Sequence, residues 1–272
     1  MAIATIKIPY APIHERPTEE SLRVDEALYG MSVQVMENTG AGWLQVRTEY
    51  HTQGYIHVDN LLTNPEIAAS WRKYPKWVIL SPWADIQKSA SANSPVLATI
   101  PRGSVLVVLG QPVSGWQKIG QVDGSVGYTR VSYLGEVITD WNQLSPSDMR
   151  WNLVETALSY NGASYRAGGR TPQGIDSVGL AAMSYYLNGV TIWRETYMKQ
   201  GLALHSIQPE LMDEGDLIYF PESVGIYMGN AKFVHATSTP GQEGVIVSSL
   251  EPQDEDYRQD LADHILGVGS LF

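Results

Sequence analysis

The chain has 272 residues, enough for two domains, or for three if some are small. Its 43% hydrophobic and 17% charged residues, with 25 Gly and 15 Pro, describe a turn-rich globular protein and exclude disorder, collagen and coiled coil. Eighteen Lys and Arg against 29 Asp and Glu leave a net charge of −11 with no basic patch, which argues against a nucleic-acid partner, and the absence of cysteine excludes disulfides, thiolate metal sites and a cysteine nucleophile.

The opening stretch from Met1 to Lys7 lacks the basic flank and the run of about 7–15 apolar residues that a signal peptide needs. The longest aliphatic run, Val105 to Leu109, falls far short of the about 18 residues that span a bilayer. A cytoplasmic protein with no membrane partner is therefore expected, unless a leader has been removed.

From the N-terminus, four landmarks recur at one offset: Gly30 and Gly103, Trp43 and Trp116, Tyr55 and Tyr128, Leu61 and Leu134, each pair 73 residues apart. Between them run short β-branched and aromatic segments punctuated by Gly, Asn and Ser, the signature of small barrels. Gly42-Trp43 followed by Gly54-Tyr55-Ile56, and Gly115-Trp116 followed by Gly127-Tyr128-Thr129, resemble bacterial SH3-like domains, which accompany cell-wall enzymes and bind or position peptidoglycan fragments. Trp43 and Trp116 are read first as core fillers, because buried aromatics dominate small cores. His51 and His57 would share a face of one strand, but a Tyr-containing turn lies between them and no third ligand is apparent, so no metal is assigned. Asn64 followed by Pro65 opens a short linking helix through Arg72.

After about residue 140 the texture changes. Ser145-Pro146-Ser147-Asp148 starts a helix in which Met149, Leu153, Val154, Ala157 and Leu158 recur near a period of 3.6, ending by Asn161-Gly162. A second helix runs from Ser177 or Val178 to Leu187 and stops at Asn188-Gly189. Four strands follow, at Leu217–Phe220, Val224–Tyr227, Lys232–His235 and Gly244–Val247. Helices first and an antiparallel sheet after is an α+β layout.

Within this half, Ser164-Tyr165-Arg166-Ala167-Gly168-Gly169, then Gly174-Ile175-Asp176-Ser177-Val178-Gly179-Leu180, Gly215-Asp216-Leu217-Ile218-Tyr219-Phe220, Ser223-Val224-Gly225-Ile226-Tyr227 and Phe233-Val234-His235-Ala236 are similar to the NlpC-type family of papain-like cysteine peptidases. The resemblance covers about residues 145 to 271. It implies a papain-like domain and an activity on bacterial cell-wall peptide stems, between γ-D-glutamate and a diamino acid. With the preceding SH3-like repeats, the layout resembles γ-D-glutamyl-L-diamino acid endopeptidases that recycle murein peptides. The expected organisation is an SH3-like barrel over 1–63, a linking helix over 64–76, a second barrel over 77–136 and a degenerate NlpC-type domain over 137–272.

That family uses a thiolate at a helix N-terminus, a His base and a third polar residue that orients the ring. Where its motif reads Asp-Cys-Ser-Gly, this chain reads Asp176-Ser177-Val178-Gly179, which puts Ser177 at the nucleophile position. Where it reads His-Val-Gly-Ile-Tyr, this chain has Ser223 at the base position. Only the third member, His235, remains. A serine alcohol is far less acidic than a thiol and depends on a general base within about 2.6–3.2 Å, a role Ser223 cannot fill.

The expected function is non-catalytic binding of a murein-derived peptide. The alternatives are a weak or altered peptidase using Ser177, and a scaffold or partner protein. The resemblance places the peptide against Asp176, Tyr165, the Gly168-Gly169 turn and the helix amides near Val178, the ligand's amine on Asp176 and its carboxylate on the amides. Asp176 is equally a candidate N-cap of the second helix, and the two roles are compatible. Arg194 reads as an intradomain salt-bridge partner, and the acidic stretch Glu251 to Asp263 as a solvated loop or helix face. His205 and His264 sit in no motif and receive no role. No cofactor is implied.

Overall fold

Both repeats fold into seven-stranded antiparallel sheets with one and the same strand order. In the first the spatial order is Arg23–Leu28, Tyr10–His14, Gln53–His57, Trp43–Thr48, Ser32–Asn38, Ala2–Ile6 and Leu61–Leu62. In the second it is Val96–Pro101, Trp83–Gln87, Val126–Arg130, Trp116–Gly120, Val105–Val108, Trp77–Ile79 and Leu134–Glu136. The computed structural model describes residues 2–272. Trp43 and Trp116 are buried, as core fillers are. His51 takes a left-handed turn conformation (φ 67°) outside the strand that carries His57, so the two do not share a strand face.

The sequence reads the repeats as separate domains, whereas the structure joins them in one compact unit ending at Val137. The cause is a shared core. The helix α1 (Pro65–Lys73), capped by the Asn64 side chain, buries Trp71 in a cluster with Tyr29 of the first repeat and Ile79, Ile86, Ile100 and Leu106 of the second. The Trp71 indole donates to the Gly30 carbonyl at 2.9 Å, and the Tyr29 hydroxyl accepts from the Val122 N–H at 3.1 Å. Gly30 sits at φ 80°, and a Cβ there would collide with the Val105 carbonyl, so the close backbone approach of the repeats at this point requires a residue with no side chain.

The second unit, from Ile138 onward, is α+β. Helix α2 (Pro146–Leu158) starts at Ser145, whose Oγ accepts from the Asp148 N–H at 3.1 Å, and buries Met149, Leu153, Val154 and Ala157 on one stripe. Helix α3 (Ser177–Leu187) is apolar and buried on most of its surface. A six-stranded antiparallel sheet follows, in the order His205–Ile207, Gly267–Ser270, Leu217–Phe220, Ser223–Gly229, Lys232–Thr237 and Gly244–Ser249. Asp216, buried at the start of the third of these, holds α2 to the sheet by accepting from Arg150 Nη1 at 2.9 Å and from Ser270 Oγ at 2.6 Å.

Two of the six strands, His205–Ile207 and Gly267–Ser270, lie outside the four read from the sequence. The first has no buried residue and the second is half glycine, so neither shows the alternation that marks a strand. The acidic stretch is largely solvated, as expected, and makes surface ion pairs: Asp254 and Asp256 clamp Lys232 at 2.7 and 2.6 Å, and Asp260, in the short helix α4 (Gln259–Ala262), pairs with Arg258 at 2.6 Å. Among the described residues, no helix is long and apolar enough to cross a membrane.

Candidate functional site

The site forms where α3 begins. Residues 166–179 wrap this end of the helix through glycines that have no room for a side chain. A Cβ on Gly179 would collide with the Gly169 carbonyl, and a Cβ on Gly169 would collide with the Gly174 carbonyl. The short antiparallel pair Arg170–Thr171 and Gly174–Ile175 closes the wrap.

Asp176 caps α3 and is almost fully enclosed. Its Oδ1 accepts from the Gly179 N–H at 2.7 Å and its Oδ2 from the Gly168 N–H at 2.7 Å, while Arg194 Nη2 lies 2.9 Å from both oxygens. Side-chain exposure is 6% for Arg194 and 13% for Asp176. Three donors converge on it, the Gly168 and Gly179 amides and Arg194 Nη2, so Asp176 serves as the cap of α3 and as the partner of a buried ion pair. Gly168 and Gly169 likewise serve the wrap, one as donor to Asp176 and the other by close backbone approach. Tyr165 is half-buried beside this pair. Burial, and then the negative charge of Asp176, push its phenol above the ordinary range, against the opposing effects of Arg194 and a hydrogen bond with Ser238. Val178 is buried.

Ser177 is the first residue of α3 and 5% exposed. Its Oγ accepts a hydrogen bond from the Val224 N–H at 3.3 Å, which places the hydroxyl against the start of the strand that Ser223 opens. The nucleophile and base positions are thus brought together, each carrying an alcohol.

His235 lies on the neighbouring strand, where Ile226 faces Val234. Continued along the strands, that register puts the side chains of 223 and 235 on one face as diagonal neighbours. Phe233 faces Ser248 on the other side, making Ser248 a diagonal neighbour as well. The imidazole turns to Ser248: Nε2 and Ser248 Oγ are 3.0 Å apart, and Nδ1 is buried without a hydrogen-bond partner. The ring packs on Phe233, centroids 4.9 Å apart, and is 1% exposed. Burial, reinforced by the positive charge of Arg258 and only partly offset by Asp260, lowers its pKa from 6.5 to about 4. At neutral pH this is an uncharged histidine, and its hydrogen bond goes to Ser248 rather than to Ser177. The sequence motifs locate all three positions, but the direction in which the imidazole points depends on strand register and has no sequence signal. Arg194 forms the salt bridge read from the sequence, but its partner, Asp176, lies 18 residues away and no local pattern names it.

A helix whose N-terminus presents the nucleophile position against an antiparallel sheet is the arrangement of papain-like hydrolases. Residues 162–261 match the NlpC/P60 family and residues 13–61 the bacterial dipeptidyl-peptidase Sh3 domain. The chain is 37% identical over 265 residues to dipeptidyl-peptidase 6 of Lysinibacillus sphaericus, covering 96% of this chain and 97% of that protein. It is 33% identical over 109 residues to the murein DD-endopeptidase MepS/murein LD-carboxypeptidase of Escherichia coli, covering 38% of this chain and 56% of that one. The crystal structure of an NlpC/P60 family protein from Bacillus cereus shares the fold over 98% of both chains, with a TM-score of 0.78 at 17% identity. The chain belongs to NlpC/P60, a family of cell-wall peptidases, and carries SH3-like domains ahead of its papain-like domain.

Proposed function

We propose that this chain binds a murein-derived peptide of the γ-D-glutamyl-diamino acid type without hydrolysing it efficiently. One observation carries the reading. Among the described residues, the Ser177 hydroxyl has no general base: its hydrogen bond comes from the Val224 amide, and the one imidazole of the triad positions is bound to Ser248. Nucleophile and base act as a unit, and loss of such a pair removes several orders of magnitude in rate. The scaffold around them, from the Asp176 cap to the Val224 amide, is built. The 37% identical relative, a dipeptidyl-peptidase, and the murein endopeptidase of Escherichia coli support a peptide from cell wall as the ligand.

The test is incubation of the full chain with L-Ala-γ-D-Glu-diaminopimelate, followed by mass spectrometry, alongside calorimetry with the same peptide. The expected result is an intact peptide and saturable heat. Cleavage with a kcat of about 1 s⁻¹ or more, within the ordinary enzymatic range, overturns the reading. So does the absence of binding. The double change Ser177→Cys with Ser223→His supplies the thiol and the base, and is expected to produce cleavage that Ser177→Cys alone does not.

A further inference from the structure

The two repeats share a scaffold but not its contents. In the first, Trp43 faces His57 across a strand pair and His14 faces Tyr55. The two imidazoles sandwich Trp43 edge-on, each ring centroid 5.3 Å from the indole, and the buried His14 Nδ1 is bonded to the Ser21 carbonyl at 3.1 Å. Seventy-three residues on, the same pairings recur with different side chains: Trp116 faces Arg130, and Gln87 faces Tyr128. There the second repeat has a pocket of about 250 Å³, walled by Trp83, Asp85, Gln87, Trp116, Arg130 and Tyr133.

The polar groups of this pocket have capacity that the protein does not use. Gln87 is 92% buried, being 8% exposed, and its Oε1 has no hydrogen-bond partner. Leaving such an acceptor unpaired costs about 1–3 kcal/mol, so an unfilled one in a pocket wall is a feature to be explained. The terminal torsion of the carboxamide is soft, and either end of the amide can be turned to the pocket. The Arg130 guanidinium stacks on Trp116 with Cζ 3.9 Å from the ring centroid, which fixes its plane and leaves its N–H edge for a planar acceptor. Among the described residues, no carboxylate forms an ion pair with it. Asp85 is exposed and accepts from Thr99 Oγ1 at 2.6 Å, but forms no ion pair with Arg130 on the same pocket wall.

We propose that the second barrel carries a receptor pocket for a small zwitterion, an α-amino acid or dipeptide. The ligand's ammonium lies at Asp85 and the Gln87 carbonyl, its carboxylate on the edge of Arg130, and its apolar body against Trp83 and Tyr133. Opposite charges held apart across an aromatic-walled cavity match a ligand with both charges. A neutral sugar would leave both unpaired, and the Trp116 face it would stack on is already covered by Arg130. This site lies wholly within the second repeat and is independent of the peptide binding proposed at Ser177.

The test is titration of the ¹⁵N-labelled full chain with L-alanyl-L-alanine, read at the indole N–H resonances of Trp83 and Trp116. Three further ligands accompany it: the N-acetyl dipeptide, the dipeptide amide and N-acetylglucosamine. Saturable shifts at both indoles are expected. Affinity falls at least tenfold on acetylation or in Asp85→Asn, and at least tenfold on amidation or in Arg130→Gln. Matched losses do not compound: the amide binds Arg130→Gln as it binds the unmodified chain. Gln87→Leu, which removes the unpaired acceptor and retains the fold, also weakens binding. The proposal is overturned if the indoles do not move, if the acetylated or amidated ligand binds as well as the free dipeptide, or if N-acetylglucosamine produces the shifts instead. Retained binding of the γ-D-glutamyl peptide in Asp85→Asn separates this site from the one at Ser177.

Discussion

Replacing Arg194 by Met removes the cation that lies 2.9 Å from both oxygens of Asp176. Removing one partner of a buried ion pair costs about 3–5 kcal/mol, because the other charge stays enclosed. Asp176 retains the Gly168 and Gly179 amides as donors, which places the cost at the lower end, about 3 kcal/mol. Because the chain comprises two units, a global melt mixes their stabilities. Hydrogen exchange of the α3 amides, resolved by mass spectrometry, reads the affected unit alone. At about 1.4 kcal/mol per tenfold, exchange there should accelerate roughly a hundredfold, with the amides of residues 1–137 unchanged. Asp176→Asn keeps a competent N-cap, so the double variant Asp176→Asn/Arg194→Met should exchange more slowly than the two single effects combined predict. An Arg194→Met chain with less than threefold acceleration, or a double variant with strictly additive effects, would refute the assignment of Asp176 to this clamp.

Other sites give independent outcomes. Since the His235 pKa is lowered from 6.5 to about 4, the unfolded chain takes up its proton first on acidification; stability of the second unit is full above pH 6.5 and falls as pH drops to about 4. The total is about 3 kcal/mol at 1.36 kcal/mol per pH unit, and urea midpoints between pH 4 and 7 should lose this slope in His235→Asn. Gly179→Ala forces a Cβ onto the Gly169 carbonyl and should destabilise the second unit by about 3 kcal/mol, seen as a lowered calorimetric transition, while an unchanged transition would contradict the tight wrap. Trp71→Ala empties the core that both repeats share; it should cost about 3–5 kcal/mol and lower the melting of both repeats together, whereas melting of one repeat alone would contradict their union.

The repeat was legible because each copy needs the same turns and fillers: left-handed glycines at 30 and 103, and buried indoles at 43 and 116. Their union into one unit was not, since it rests on single contacts such as the Trp71 indole on the Gly30 carbonyl, which leave no periodic trace. The helices α2 and α3 announced themselves by caps and spacing. The pair Arg170–Thr171 and Gly174–Ile175, two residues per strand, is too short to show any period.

The site illustrates a sharper limit. Asp176, Gly168, Gly169 and Gly179 match the family's motifs in this sequence, and taken alone the match reads as a retained binding groove. In the structure these same residues form the cap and wrap that hold the end of α3, with Arg194 completing the charge. That structural demand is independent of whether position 177 bears a thiol or an alcohol. Ser177 and Ser223 carry a smaller demand: one hydroxyl accepts a single amide hydrogen bond and the other begins a strand. A matching motif is therefore evidence of fold before it is evidence of activity. The group here that bears on activity is the His235 imidazole, through its orientation toward Ser248.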